Sequence, residues 1–484
     1  MSEQSLATRA VRGAFWTGGG LGVHMIVTLI FFRILNLEDM GYFTWAQRVV
    51  VLCALVGALG LNDALVKYQD VSHSHFSSAF WACLCVGIML SVGLMASERF
   101  LNFLIGKTES VTAFFKIAHP LVLTIPVASV SGIVRAMLAR DLRFRAIAIS
   151  EMASVLIAAV IGLGLLIGDW GVESAIWNAV TREIALLGIL WIAAAWVPTL
   201  SFNWAKLKVL LPFGFNVSGA NLLNYINNNM DKVYFIPVLL GPVATGMYAF
   251  AYQYTMVPLN RASVVLTRVI FPAFSKVQDD DEVLRRAYLR TVGVIALLAW
   301  PVLSGGFVYA KEVLLLVKGN EMLAVLNPLR LLIIAGMLKA VGTAVGSIFL
   351  AKGKANWSFW WTVLNLAVFV PALFYAVQFG LEGVAFVVSG VAFLALFVTQ
   401  WLVNRLIGLS LRAYFFVLMR PALIAIMVVV VLLISRPLIH EAPLLAIVFG
   451  GVVGGAVYLL GIRLFAWSMV MQFWHDFRGQ NSKL

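Results

Sequence analysis

From Gly13 to about residue 465 the chain is a near-continuous series of apolar runs, each about 20 residues long, separated by short stretches that carry most of the charge. That feature restricts the fold severely. A backbone crossing hydrocarbon must satisfy every N–H and C=O internally, so it spans as α-helices or as a closed β-barrel. Runs of this length suit helices, because a barrel strand needs only about ten residues and alternates apolar with polar. Composition agrees: 62% of the 484 residues are hydrophobic, 12% are charged, and the mean hydropathy is +0.95. A soluble domain has about 45–50% apolar and about 25% charged residues. The sequence therefore predicts an all-α polytopic membrane protein.

Apolar windows fall at roughly 13–33, 42–63, 76–97, 117–138, 146–168, 174–196, 213–237, 243–268, 291–315, 325–350, 356–378, 383–404, 415–435 and 443–465, about 14 spans. An even number puts both termini on one side of the membrane. With a cytoplasmic N-terminus, 22 of the 35 Lys and Arg residues fall on the cytoplasmic side and seven opposite. That is the bias of the positive-inside rule. The net charge of +13 thus marks topology and attracts anionic lipid, and no nucleic-acid partner is needed to explain it. The first apolar run follows Arg9 and Arg12, lacks a small-residue cleavage site, and reads as an uncleaved span. Cys53, Cys83 and Cys85 lie in apolar runs without metal or disulfide spacing and read as small buried hydrophobes.

The chain also echoes itself. "RILNLEDMGYFTWAQ" (33–47) matches "VLLGPVATGMYAFAY" (238–252) at an offset of 205, pairing Leu35 with Leu240, Gly41 with Gly246 and Ala46 with Ala251. "LARDLRF" (138–144) meets "LAKGKAN" (350–356) at a similar offset. The echoes predict two pseudo-symmetric six-helix lobes, 1–200 and 201–406, followed by a helical pair over 407–466 and a tail over 467–484. Six helices is an even number, so the lobes should be parallel repeats about an axis along the membrane normal. The Pro- and Trp-bearing stretch 196–212 is the natural cytoplasmic connector. In the tail, Trp467, Val470, Met471 and Trp474 share one helical face and read as an interfacial anchor.

Six basic residues fall at membrane depth: Arg48, Arg182, Lys232, Arg261, Arg330 and Lys339. The deep acids that match them are few, namely Asp231, Glu183 and Glu151. A buried charge costs about 2.5–3.5 kcal/mol at the bilayer centre, so a cationic surplus calls for water or an anionic guest. One stretch adds neutral polarity. In "NYINNNMDK", Asn221, Asn224, Asn228 and Asp231 are spaced three, four and three residues apart and share one helical face, flanked by Asn227 and Lys232. Interhelical hydrogen bonds of about 0.6 kcal/mol each would also explain such amides, and Asp231 and Lys232 could neutralise one another. A central, hydrated, cationic cavity accounts for the whole set better. His24 and His119 read as satisfied core residues.

Absent motifs narrow the function. Gly106-Lys107-Thr108 resembles the end of a phosphate loop, but position 101 is Leu and the glycine-rich cradle is missing. Zinc-protease, Cys-x-x-Cys and nucleophile-elbow signatures are likewise missing, so neither an ATPase nor a cofactor enzyme is expected, and no metal. The loops outside the membrane are too short for a glycosyltransferase or polymerase domain.

Several stretches in order, "AVRGAFW…FFRILNLEDMGYF", "ALVKYQD", "RAMLARDLRFRAIAISE", "FGFNVSGANLLNYINNNMDK", "GMYAFAYQY" and "VIFPAFSKVQDD", resemble the polysaccharide transporter (Wzx-type flippase) branch of the multidrug/oligosaccharidyl-lipid/polysaccharide (MOP) exporter superfamily, the colanic-acid and exopolysaccharide exporters most closely. The resemblance covers about 1–410. It implies a V of two six-helix lobes, alternating access, and a bacterial inner-membrane location with both termini cytoplasmic. The implied substrate is an undecaprenyl-diphosphate-type lipid-linked oligosaccharide, moved by a monomer that works alongside polymerase and chain-length partners. On that reading Arg48 and Arg261, on equivalent helices, clamp the diphosphate, and Asn221, Asn224, Asn227 and Asn228 bind sugar hydroxyls. Asp231 is the candidate for coupling to H⁺ or Na⁺. Two alternatives stay open: an ion-coupled multidrug antiporter on the same fold, whose cavity should be acidic, and a membrane polymerase or ligase acting on lipid-linked sugars.

Overall fold

The computed structural model describes residues 20, 22–105, 108–256, 259, 274, 278–438, 442–467, 469 and 471. Among these residues there is no β-strand, and helices follow one another with short breaks. The chain divides into two compact units, Met1–Gly246 and Met247–Leu484.

The first unit holds α1 (Gly22–Ile34), α2 (Leu37–Gly57), α3 (Leu61–Lys67), α4 (His73–Ile105), α5 (Glu109–Val122), α6 (Thr124–Arg140), α7 (Phe144–Ile167), α8 (Val172–Ala194), α9 (Trp204–Met230) and α10 (Ile236–Leu239), with the start of α11 (242–256). Side chains satisfy the exposed N–H groups at several helix starts, the need that any helix end creates. The Asn36 side chain accepts from Glu38 N before α2, and Asn203 accepts from Lys206 N before α9. A left-handed pair, Leu59 (φ 52°) and Gly60 (φ 63°), turns α2 into α3. Arg140 at the end of α6 donates to the carbonyls of Leu65, Tyr68 and Gln69, closing the open end of α3. Its apolar core joins Leu61 and Leu65 to Phe80 and Cys83 of α4, Val134 of α6 and Leu210 of α9.

The connector after α8 is not a free linker. Trp81 Nε1 donates to Thr199 O (2.9 Å), Thr199 N to Ser77 Oγ (3.1 Å) and Asn203 N to Ser78 Oγ (2.9 Å), so α4 holds it along its length. Trp196 packs edge-on against Phe76 and Phe80. That anchoring makes α9 part of the first unit, packed on α2, α3 and α4. The compact division therefore falls at Gly246 and not at the connector.

The echo at offset 205 has a physical counterpart within this unit. A Cβ on Gly41 would lie 1.8 Å from Pro242 O, and one on Gly246 would lie 2.3 Å from Leu37 O. Position 37 plus 205 is 242 and 41 plus 205 is 246, so each partner of one contact is the repeat equivalent of a partner in the other. Reciprocal contact of this kind is what a two-fold relation produces. Glycine is required at both positions because backbone meets backbone there.

The second unit holds the rest of α11, then α12 (Asp281–Val308), α13 (Ala310–Lys318), α14 (Leu326–Gly342), α15 (Val345–Ala351), α16 (Ala355–Ala376), α17 (Gly380–Ile407), α18 (Leu411–Ser435) and α19 (Pro443–Gly461). The Asp280 carboxylate caps α12 through Glu282 N and Val283 N. α12 packs on α14 and α18, and α14 on α17. Two polar pairs tie helices together: Tyr288 OH donates to Gln400 Oε1 (2.9 Å), and Arg436 binds Glu312 through Nε (2.9 Å) and Nη2 (2.6 Å).

Among the described residues ten helical stretches are long and apolar enough to cross a membrane. Most of the expected windows fall in them. Asn356–Ile407 holds two windows, broken at Val377–Phe379, and α9 falls outside the ten. The cysteines split: Cys83 is buried, Cys53 half-buried, and Cys85 exposed on α4, against the expectation that all three are interior. Of the tail, only Trp467 and two later positions are described, so the interfacial anchor lies largely outside the described residues.

Candidate functional site

α9 carries most of the polarity that the sequence places at membrane depth. Asn221, Asn224 and Asn228 are exposed along one face, as the three-and-four spacing requires, and Asn228 Nδ2 donates back to Asn224 O (2.8 Å). Asn227 is half-buried and its Oδ1 is enclosed without a hydrogen-bond donor among the described residues. The open stripe stops at Asn228. Past Met230 the helix widens into a π-turn, Asp231–Phe235, which packs against α2, where Trp45 Nε1 donates to Val233 O (2.9 Å). π-turns inside helices are frequent at functional sites, and here one divides the exposed amides from a buried charge pair.

That pair is Asp231 (2% exposed) and Lys232 (6% exposed). Lys232 Nζ donates to Asp231 Oδ1 (3.0 Å) and Oδ2 (3.3 Å) and to Asn228 O (2.6 Å). Neither group lies on the open face with the asparagines. The geometry supports the structural role weighed for these two residues.

Arg48 stands across from α9 on α2, half-buried. Its Nη1 donates to Asn229 Oδ1 (3.1 Å), and its own carbonyl accepts from Tyr225 OH (2.7 Å). Asn229 in turn donates through Nδ2 to Tyr225 O (2.9 Å). Tyr225 and Asn229 thus hold both ends of Arg48 against α9. Sequence reasoning passed over both, because the exposed stripe drew attention to the opposite spacing. Their separation of four residues, a Tyr and an Asn on one face, was the available signal.

The other deep cations are distributed elsewhere. Arg182 on α8 is bound to the neighbouring carboxylate, Glu183 (2.7 Å), and Glu151 pairs with Arg135 (2.7 Å). Lys339 lies half-buried on α14 of the second unit. Arg330, also on α14, stands over the ring of Phe307 (5.4 Å) and lines a pocket of about 950 Å³. Arg261 lies outside the described residues. His119 is satisfied as expected, by Glu98 at 3.0 Å. Lys232 and Arg182 each have an acid next in sequence, so the cationic surplus is smaller than a count of residue types implies. The described residues hold no cluster of metal-ligating side chains.

Residues 30–326 match the family model described as "Polysaccharide biosynthesis protein". The teichuronic acid biosynthesis protein TuaB of Bacillus subtilis is 28% identical over 431 residues, 87% of each chain. The lipopolysaccharide biosynthesis protein WzxC of Escherichia coli is 26% identical over 387 residues, covering 76% of this chain and 75% of WzxC. The succinoglycan biosynthesis transport protein ExoT of Rhizobium meliloti is 25% identical over 92% of this chain and 90% of its own. Among solved structures, the lipid II flippase MurJ superposes with a TM-score of 0.75 at 14% identity, over 96% of this chain and 99% of MurJ. A MATE transporter of Vibrio cholerae gives 0.60 at 16% identity, over 85% and 99%. At these identities the superpositions establish a shared fold.

Proposed function

This chain belongs to the polysaccharide biosynthesis protein family, and from that premise we propose that it is a flippase for a polyprenyl-diphosphate-linked oligosaccharide repeat unit, carrying it from the cytoplasmic to the outer leaflet of a bacterial inner membrane for polysaccharide export. The observation that carries the reading is the open amide stripe of α9 beside Arg48. On a helix that the sequence sets at membrane depth, three exposed asparagines would face acyl chains only at a penalty, which favours water or a polar guest. Amides are neutral, donate and accept, and suit sugar hydroxyls whose pattern varies. A guanidinium offers paired donors to a diphosphate. Arg48, fixed at Asn229 and by Tyr225, would meet that phosphate, with Arg261 as its equivalent in the second repeat. The two six-helix lobes would alternate access, while the polyprenyl tail stays in lipid.

The names of the relatives support a carbohydrate substrate: teichuronic acid, lipopolysaccharide and succinoglycan for the sequence relatives, and lipid II for a structural one. A multidrug antiporter fits less well, since the stripe on α9 is neutral and its one acid, Asp231, is buried against Lys232. Coupling to H⁺ or Na⁺ through Asp231 would first require that pair to open. A deletion strain tests the reading against an enzyme of the same pathway. Loss of a flippase leaves complete repeat units facing the cytoplasm, whereas loss of a polymerase or ligase leaves them facing outward and unjoined. Outward-facing accumulation would overturn the proposal.

A further inference from the structure

The Arg330 pocket stands apart from the α9 stripe. It is built where four helices end: Phe307 at the end of α12, Asn327 and Arg330 in the opening turns of α14, Tyr375 in the last turn of α16, and Glu382 and Phe386 in the opening turns of α17. Spanning helices end at the membrane–water interface, the depth at which phospholipid headgroups lie and Tyr side chains collect. The walls are chiefly apolar and aromatic, and Tyr375 and Phe386 are each 67% exposed, so the pocket opens to its surroundings across an apolar flank. At about 950 Å³ it has room for a headgroup and the first part of a chain.

Its charges form a pattern. Arg330 stands over Phe307, its Nε is buried without a hydrogen-bond acceptor, and no carboxylate pairs with it among the described residues. A guanidinium in a pocket wall with no carboxylate paired to it leaves positive charge for an anionic guest to complete. The N-terminal ends of α14 and α17 and the C-terminal ends of α12 and α16 meet here with opposed partial charges, so the guanidinium is the pocket's source of positive charge. At the rim, exposed Glu382 accepts from Asn327 Nδ2 (3.4 Å). Asn327 and Arg330 are separated by about 4.5 Å of helical rise, so the cationic and anionic groups stand a short way apart along one pocket.

We propose that this pocket is a specific site for one phospholipid with a zwitterionic ethanolamine headgroup. The phosphate accepts from Arg330, the ammonium donates to Glu382, and the chains leave past Tyr375 and Phe386. A purely anionic glycerol headgroup would satisfy Arg330 but meet repulsion from Glu382. A choline headgroup matches in charge but has no N–H to donate. The assignment gives Arg330 to a resident lipid, not to the transported substrate, and it is independent of what that substrate is.

Native mass spectrometry of the full-length protein tests this, with phosphatidylethanolamine, phosphatidylglycerol and phosphatidylcholine of matched chains, and undecaprenyl phosphate as a fourth probe. Wild-type protein should hold the ethanolamine lipid about tenfold more tightly than the glycerol lipid, the size of one charge-assisted hydrogen bond. Arg330→Gln should lose about tenfold in ethanolamine-lipid binding, and Glu382→Gln should bring the ethanolamine-to-glycerol ratio close to one. Should Arg330→Gln fail to fold, the rim variant Glu382→Gln decides by the same ratio. An unchanged ratio in Glu382→Gln, full ethanolamine-lipid binding by Arg330→Gln, or tighter binding of the glycerol lipid or of undecaprenyl phosphate by wild type would each overturn the assignment.

Discussion

Lys232 and Arg330 are both cations that the sequence sets at membrane depth, one in each unit, and the protein treats them oppositely. Lys232 is 6% exposed and has the Asp231 carboxylate at 3.0 Å. Arg330 has an aromatic ring beneath it, an unmatched Nε and a pocket in front of it. A buried pair completed within the protein has little left to offer a guest. A deep cation without a carboxylate is one that a ligand can complete. Arg48 differs from both: its Nη1 donates to a neutral amide, Asn229 Oδ1. Deep positive charge is therefore informative about function only after its partners are known.

The largest expected effect tests the closed side of this contrast. Asp231→Asn removes the carboxylate that Lys232 Nζ meets at 3.0 Å and should destabilise the protein by about 3–5 kcal/mol, read as a fall in thermal or denaturant midpoint in detergent. The double variant Asp231→Leu/Lys232→Met should recover most of the loss, since apolar replacement of a buried pair is often neutral. If Asp231→Asn keeps wild-type stability, the pair is not the structural element inferred here, and an ion-coupling role for Asp231 gains ground.

A smaller effect is expected where the repeat meets itself. Gly41→Ala places a methyl 1.8 Å from Pro242 O and Gly246→Ala places one 2.3 Å from Leu37 O, so backbone has to move in either variant. Overpacking of this kind costs about 1–3 kcal/mol. The two losses should be alike, because the contacts are repeat equivalents. A loss in one variant alone would break that equivalence.

The smallest effect on stability belongs to the open stripe. Asn221→Ala, Asn224→Ala and Asn228→Ala remove exposed amides and should each change stability by less than about 0.5 kcal/mol. Combined, they should nonetheless lower polysaccharide export at normal protein levels. Export unaffected by the triple variant would mean that the stripe serves only local hydrogen bonding.

The fold was largely legible because lipid leaves few options. Long apolar runs dictated helices, and the family followed from short stretches in a fixed order. The site was less legible. Spacing placed Asn221, Asn224 and Asn228 on one face, as found, but extrapolating the same period to Asp231 fails where the chain enters a π-turn and packs on α2. A fixed 3.6-residue period cannot anticipate a widened turn. The sequence offered mutual neutralisation of Asp231 and Lys232 as one reading, and the structure pairs them, as it pairs Arg182 with Glu183. The division of the chain was similarly hidden: 196–212 reads as a linker by composition, yet Ser77, Ser78 and Trp81 fasten it to α4.

The most direct test of the flippase reading is movement of a lipid-linked oligosaccharide across proteoliposomes holding wild-type protein or Arg48→Ala, followed by accessibility of the sugar to an external glycosidase. The account predicts protein-dependent translocation by wild type and its loss in a folded Arg48→Ala variant. Translocation by Arg48→Ala at the wild-type rate would contradict the phosphate role of Arg48, and no translocation by wild type of any polyprenyl-diphosphate-linked sugar would contradict the function itself.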